Sequence, residues 1–316
     1  MDAFKTFKSL ADFDTVFAEE SACINHFRAI RWPDLAHCAC PHCGVIGAPY
    51  ILGNNTHKCR DCLKKSTVRN GTIFEDSKIE LRKWFKAVFF MTGHKKGISS
   101  CQLAKDIGVT QKSAWFMLHR IRNASMTKEF KAPLVGVIEA DETYVGANAK
   151  WQHKNKKNPL LVGAAAAKTK KTVFAMLQRD GDLRLHHVKD TRKATVAPII
   201  QASIAPGAEV HTDESPLYAW MRSDYAHKMV THSLGEYVRG NITTNRVEGS
   251  FSHFKRTIVG TYHKASDKHL DRYLQMFAFR WNTRTMKEAE RMNMFLGMTA
   301  GKRLSYRTLT RKGSTQ

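Results

Sequence analysis

Val135-Gly-Val-Ile-Glu-Ala-Asp141 is an apolar, β-branched run that closes on a carboxylate. Alternation along a strand puts Glu139 and Asp141 on one face and Glu142 on the other. Asp141 is therefore expected at the strand's end, where a loop opens, with Glu139 supporting it. Two more acids occupy comparable places. Asp213 ends Ala208-Glu-Val-His-Thr-Asp213, and Glu248 lies near the start of the helical segment Asn245-Arg-Val-Glu-Gly-Ser-Phe-Ser-His-Phe-Lys255. Carboxylates this far apart in the chain meet only through a fold. Brought together, Asp141, Asp213 and Glu248 form an all-oxygen donor set suited to Mg2+ or Mn2+. Glu142 and Glu214 read as solvated neighbours.

Outward from that run, strands and helices follow one another from Phe130 to about Arg284. Residues 160–167, 172–177 and 183–188 are short strands, separated by Lys168-Thr-Lys-Lys171 and Asp180-Gly-Asp182. Thr191 is expected to cap a helix, and residues 209–212 form the next strand. The 34 residues between Asp213 and Glu248 leave room for a helix over 217–222 and a strand over 227–232. Antiparallel strands, a helix, then a strand returning beside the first is a ribonuclease H-like order, which sets Asp213 next to Asp141. Ser252 and Lys255 share the helix face of Glu248. Lys255, with Arg256 beside it, is thus placed to hold a phosphate.

Five of the seven cysteines fall between positions 38 and 62, and four form Cys40-Pro-His-Cys43 and Cys59-Arg-Asp-Cys62, fifteen residues apart. Two thiolates on one tight turn reach one ion, and a second turn completes a tetrahedron. With the hairpin signals between the pairs, the segment is expected to be a zinc ribbon holding structural Zn2+. A redox pair would need one Cys-x-x-Cys ahead of a helix, and two pairs argue against it. Cys38 is a surplus thiol that could replace Cys40, though the spacing favours Cys40. Cys23 and Cys101 read as small buried hydrophobes, and His42 and His57 as exposed turn residues.

Residues 76–123 read as mostly helix. Ser77 with Glu80 has the form of a capping box, and Leu81, Trp84, Phe85, Val88 and Phe89 then recur on one face. A second helix follows Ser99-Ser100. Gly108-Val-Thr110 breaks it, and Thr110 caps a third helix over 111–122. This is helix-turn-helix order, with Thr110, Gln111, Lys112 and Ser113 facing DNA. Trp115, Phe116, Leu118 and Ile121 are expected in the core even if the element never touches DNA.

Lys and Arg number 51 against 28 Asp and Glu, a formal net charge of +23 over 316 residues. The excess is distributed. Residues 150–171, including Lys154, Lys156 and Lys157, contain no acid, and neither does the chain from Arg291 onward. Such stripes suit a phosphate backbone. A hydrophobic fraction of 42% excludes a disordered tail protein. No apolar run approaches the ~20 residues of a membrane span, so no membrane partner is expected.

The motifs together resemble a known family. Cys40-Pro-His-Cys-Gly44, His57-Lys-Cys-Arg-Asp-Cys62, Gly71-Thr-Ile-Phe-Glu75, Ile138-Glu-Ala-Asp-Glu-Thr-Tyr-Val-Gly146, His211-Thr-Asp-Glu-Ser215, Tyr237-Val-Arg-Gly-Asn241 and Phe279-Arg-Trp-Asn-Thr-Arg284 resemble zinc-ribbon DDE transposases of bacterial insertion sequences, the ISXO-type group. The resemblance implies binding of terminal inverted repeats and target DNA, metal-dependent strand cleavage and transfer, a homo-oligomer on paired ends, and a cytoplasmic, nucleoid-associated location. It puts Asp141, Asp213 and Glu248 at the catalytic positions, with Asn245 the alternative third donor. Two rival readings remain: a DNA-binding regulator with an inactive core, and a ribonuclease H-like nuclease that never joins ends. The expected domains are a helix and ribbon (1–72), a helix-turn-helix (73–128), a multidomain chain's catalytic α/β unit (129–290) and a basic tail (291–316).

Overall fold

The computed structural model describes residues 6–53, 55–126, 132–146 and 170–311. Lys154, Lys156, Lys157 and the strand expected over 160–167 lie outside the described residues. The chain forms two compact units: Met1–Thr127 with Thr283–Gln316, and Lys128–Asn282. This differs from the expected boundaries, because the ribbon and the helices after it share one unit and the C-terminal segment returns to it.

In chain order, the first unit starts with α1 (Leu10–Val16) and α2 (Glu20–Arg31). Two small antiparallel sheets follow, β1 (Cys38–Ala39) with β2 (Ile46–Gly47), and β3 (Tyr50–Ile51), β4 (His57–Lys58) and β5 (Lys65–Ser66). Next come α3 (Leu81–Gly93), α4 (Ser100–Ile107) and α5 (Gln111–Ala124). Aromatic rings fill the core: Phe17 meets Phe85 edge-on at 5.2 Å and Phe74 meets Trp84 at 5.3 Å. Each such ring, removed from water, stabilises the unit by about 2–3 kcal/mol.

The start of α3 is not held as expected. Ser77 accepts the Trp84 indole N–H at 2.9 Å and caps nothing. Glu20, at the head of α2, instead accepts the N–H groups of Leu81 and Arg82 at 2.7 and 2.9 Å, and Arg69 binds the same carboxylate at 2.5 Å. Two of the donors that a helix start leaves open are thereby satisfied. Downstream, Gly108 ends α4 at φ +62°, and the Thr110 hydroxyl accepts the Ser113 N–H at 3.2 Å as expected. Leu118 and Ile121 are core, whereas Trp115 and Phe116 are only half-buried. Arg120 is buried and donates to the carbonyls of Ile73, Glu75 and Leu304 at 2.9, 2.8 and 3.0 Å. Cys23 is buried as expected, but Cys101 is exposed and His57 is buried.

The second unit is built on a five-stranded mixed sheet of order β10-β9-β6-β7-β8. Its strands are β6 (Val137–Val145), β7 (Lys171–Gln178), β8 (Leu183–Val188), β9 (Glu209–Thr212) and β10 (Ala226–Met229). The first three form an antiparallel meander; β9 returns parallel to β6, and β10 is parallel to β9. The connection from β8 to β9 carries α6 (Lys193–Ser203), and Pro216–Ser223 is a 3-10 helix. A short hairpin, β11 (Val238–Arg239) with β12 (Ile242–Thr243), leads into α7 (Asn245–Thr257), and α8 (Leu270–Asn282) closes the unit. Each sheet face has its own core. Val173, Ala175 and Leu185 pack with Val247, Phe251, Leu274 and Phe277 of α7 and α8. Ile138, Ala140, Phe174 and Val210 pack with Val196 and Ile200 of α6 and with Tyr218.

Residues 291–311 are not a tail. The chain from Thr283 belongs to the first unit, where α9 (Glu288–Gly297) packs on α3 and α2, and α10 (Tyr306–Thr310) follows. Met292, Phe295 and Leu296 are fully buried, and the Gly301 N–H donates to the Gly71 carbonyl at 2.7 Å. Of the basic residues that suggested a tail, Arg291 is itself buried.

Candidate functional site

Strand β6 runs four residues beyond Asp141, so that residue sits within the strand, paired with Ala175 of β7. The expected strand end is present only on the other side. Parallel pairing of β6 with β9 stops at Glu139 opposite His211. Asp141 and Asp213 therefore each follow the last pair by two residues, where the strands part. Both are half-buried. Glu248 sits in the first turn of α7, accepting the Thr244 hydroxyl at 2.9 Å, with His232 Nε2 at 3.8 Å.

The electrostatics tie these acids into one neighbourhood. Burial, and then the charges of Glu142, Asp213 and Glu248, push the Asp141 carboxyl up to about 8, although the Glu142 N–H donates to it at 2.7 Å. Burial also raises Asp213, opposed by the Ser215 N–H at 3.1 Å. The charges that most raise Asp141 are those of Glu142, Asp213 and Glu248. Carboxylates such as these are the donor type that a hard divalent cation takes. Their oxygens stand wider apart than the ribbon sulfurs: among the described residues, only the four cysteines bring three or more ligand atoms within 4.8 Å of one another.

Two further acids support this arrangement through partners distant in the chain. Glu139 is fully buried, takes the Arg179 guanidinium at 3.1 Å, and accepts the N–H groups of Arg246 and Val247 at 2.9 and 3.1 Å. It thereby pins the first turn of α7, at the two residues just before Glu248. Glu142 is not a solvated neighbour. It is half-buried, its carboxyl is raised by burial, and the Tyr218 hydroxyl donates to it at 2.5 Å. Glu214 is likewise engaged: the N–H groups of His232 and Ser233 donate to it at 2.8 and 2.9 Å, and backbone N–H groups, its own first and then those of Ser233 and His232, hold it down at about 2. Ser252, Lys255 and Arg256 are exposed on α7, as is Asn245.

In the ribbon, the sulfurs of Cys40, Cys43, Cys59 and Cys62 converge, with Cys40 to Cys62 at 3.8 Å and Cys43 to Cys59 at 3.7 Å. A tetrahedron with Zn–S bonds of about 2.3 Å has edges of about 3.8 Å, so the four thiols fit one zinc ion. The His42 N–H donates to the Cys40 sulfur at 3.4 Å, as a knuckle turn requires. Cys38 is outside the group, buried with its sulfur toward the Asp34 carbonyl. The left-handed position after each pair falls at Gly44 (φ +78°) and at Leu63 (φ +56°).

Residues 18–65 match the transposase zinc-ribbon domain, and residues 133–282 match the ISXO2-like transposase domain. Both matched regions are transposase domains. Together the two matches span more than half of the chain, one containing all four ribbon cysteines and the other all three carboxylates. An uncharacterized protein in transposable element ISH50 of Halobacterium salinarum is 27% identical over 276 residues, covering 84% of this chain and 91% of the relative. No solved structure matches. Helices α4 and α5 lie outside both matched regions. There Thr110, Gln111 and Lys112 are exposed, and Ser113 is half-buried at the N-terminus of α5. No helix among the described residues is long and apolar enough to cross a membrane.

Proposed function

We propose that this chain is the transposase of an insertion sequence, binding terminal inverted repeats and cutting and joining DNA strands at Asp141, Asp213 and Glu248. The observation that carries the reading is Asp141, half-buried at the parting of two parallel strands, with the charges of Glu142, Asp213 and Glu248 acting on it. The sheet order, an antiparallel meander with two further strands parallel to its first, supports a ribonuclease H-like assignment. Asp141, Asp213 and Glu248 would hold Mg2+ or Mn2+, and the bound ions would activate the attacking hydroxyl and stabilise the leaving oxygen. Lys255 and Arg256, exposed on α7, serve to hold phosphate oxygens of the strand being cut. The left-handed turn at Gly108 and the Thr110 cap support a helix-turn-helix whose recognition helix is α5, meeting DNA through Thr110, Gln111, Lys112 and Ser113. The ribbon is assigned structural Zn2+, and a homo-oligomer is assigned to paired ends.

The test is a cleavage assay on duplexes carrying the inverted repeats that flank the reading frame, with Mg2+ present. Nicking at the repeat ends is expected, and joined products are expected when a pre-cut 3′-hydroxyl end is supplied. Binding with no nicking under either metal would favour the regulator, and nicking without joining would favour the plain nuclease. Asp141→Asn and Asp213→Asn should each abolish cleavage and leave DNA binding intact.

A further inference from the structure

We infer that Glu142 and Tyr218 form a strut that sets the distance between Asp141 and Asp213, so that both are positioning residues for the metal site. The inference rests on the carboxylate-site reading above. Glu142 directly follows Asp141 on β6, and Tyr218 lies five residues beyond Asp213, in the 3-10 helix Pro216–Ser223. The Tyr218 hydroxyl donates to Glu142 Oε2 at 2.5 Å, and the Tyr218 ring is fully buried among Ile138, Ala140, Phe174 and Val210. Backbone pairing between β6 and β9 has ended by this point, at Glu139 and His211. The segments carrying the two aspartates are thus free to separate unless a side chain links them. Among the described residues, this hydrogen bond makes that link on the face opposite α7. On the α7 face, Glu139 plays the corresponding part for the helix that bears Glu248. A half-buried carboxylate that takes a charge-assisted bond from a rigid, fully packed phenol is well suited to fix such a spacing.

The test is calorimetric titration of Mn2+ into the zinc-loaded full-length chain, with circular dichroism melting and DNA binding measured on the same samples. Tyr218→Phe keeps the ring and removes the bond; Mn2+ affinity should fall about tenfold or more, as for other residues that orient metal ligands. DNA affinity should stay within about twofold, because no docking side chain changes. Glu142→Gln keeps an acceptor for the phenol and should bind Mn2+ within about threefold of the unaltered chain. Glu142→Met breaks the bond from the other end without leaving a buried charge, and replaces Tyr218→Phe in the test should that variant fail to fold. Unaltered Mn2+ affinity in the folded bond-breaking variant, alongside its loss in Asp141→Asn, would overturn the strut alone. A loss in Glu142→Gln as large as in Asp141→Asn would also overturn it, by making Glu142 a ligand. Unaltered Mn2+ affinity in Asp141→Asn itself would remove the carboxylate-site reading beneath it.

Discussion

Asp141 illustrates how a single side chain can oppose its own fold. Its carboxyl holds a proton up to about pH 8, against an ordinary 3.8. Between those values the folded, metal-free chain binds more protons than the unfolded chain. Stability therefore falls as pH rises through that window. Asp141→Asn removes the buried charge and its repulsion, and metal-free protein at pH 8 should be more stable by roughly 1–3 kcal/mol, with the gain vanishing near pH 4. Equal melting of the two proteins at both pH values would refute this account. Glu139 works in the opposite sense. Glu139→Ala leaves Arg179 without its carboxylate and α7 without its anchor, and should cost about 3–5 kcal/mol in chemical denaturation. The sequence made the convergence of Asp141 and Asp213 legible through the ends of two apolar runs. It could not show Glu142 meeting Tyr218 or Glu139 meeting α7, because those partners lie 76 and 107 or 108 residues away. Strand alternation names the face a side chain takes, and only the tertiary fold names what waits there.

The elements divide the same way between local and distant causes. The ribbon, the β7 and β8 strands, and the break between α4 and α5 follow from short-range patterns: Cys-x-x-Cys spacing, turn residues, and a glycine before a threonine cap. Helix α3 has a capping-box pattern at Ser77, yet Glu20 holds it from 61 residues away. Glu20→Ala should therefore lower the stability of the first unit by about 1–2 kcal/mol, while Ser77→Ala should act only through its bonds to the Trp84 indole and the Ile79 N–H. A ratio of the two effects near one would contradict that assignment. Within the ribbon, Leu63 is 57% exposed and adopts φ +56°. Leu63→Gly should stabilise the knuckle by a few tenths to about 1 kcal/mol, read as slower loss of zinc to a chelator. Gly44→Ala should accelerate that loss.

At the scale of the whole chain, a net charge of +23 predicts DNA binding that weakens steeply with salt. Replacing Lys112 by Gln should lower the slope of log K against log salt by about one. The return of the C-terminal segment makes a second expectation. Ending the chain at residue 282 removes α9, with Phe295 and Leu296 fully buried. The first unit should then melt non-cooperatively or precipitate, while residues 128–282 expressed alone should still give a cooperative transition. Basic residues dominate the composition of this segment, whereas its apolar stripe is only Ala289, Met292, Phe295 and Leu296.

The order in which a ribosome delivers these parts matters. Translation completes the sheet and its carboxylates while the unit that bears Thr110 and the ribbon still lacks α9 and α10. A nascent chain therefore finishes the proposed carboxylate site before the unit with the proposed DNA-contacting residues is whole. Premature stops near the end of the reading frame would release polypeptides with an intact sheet and a crippled address.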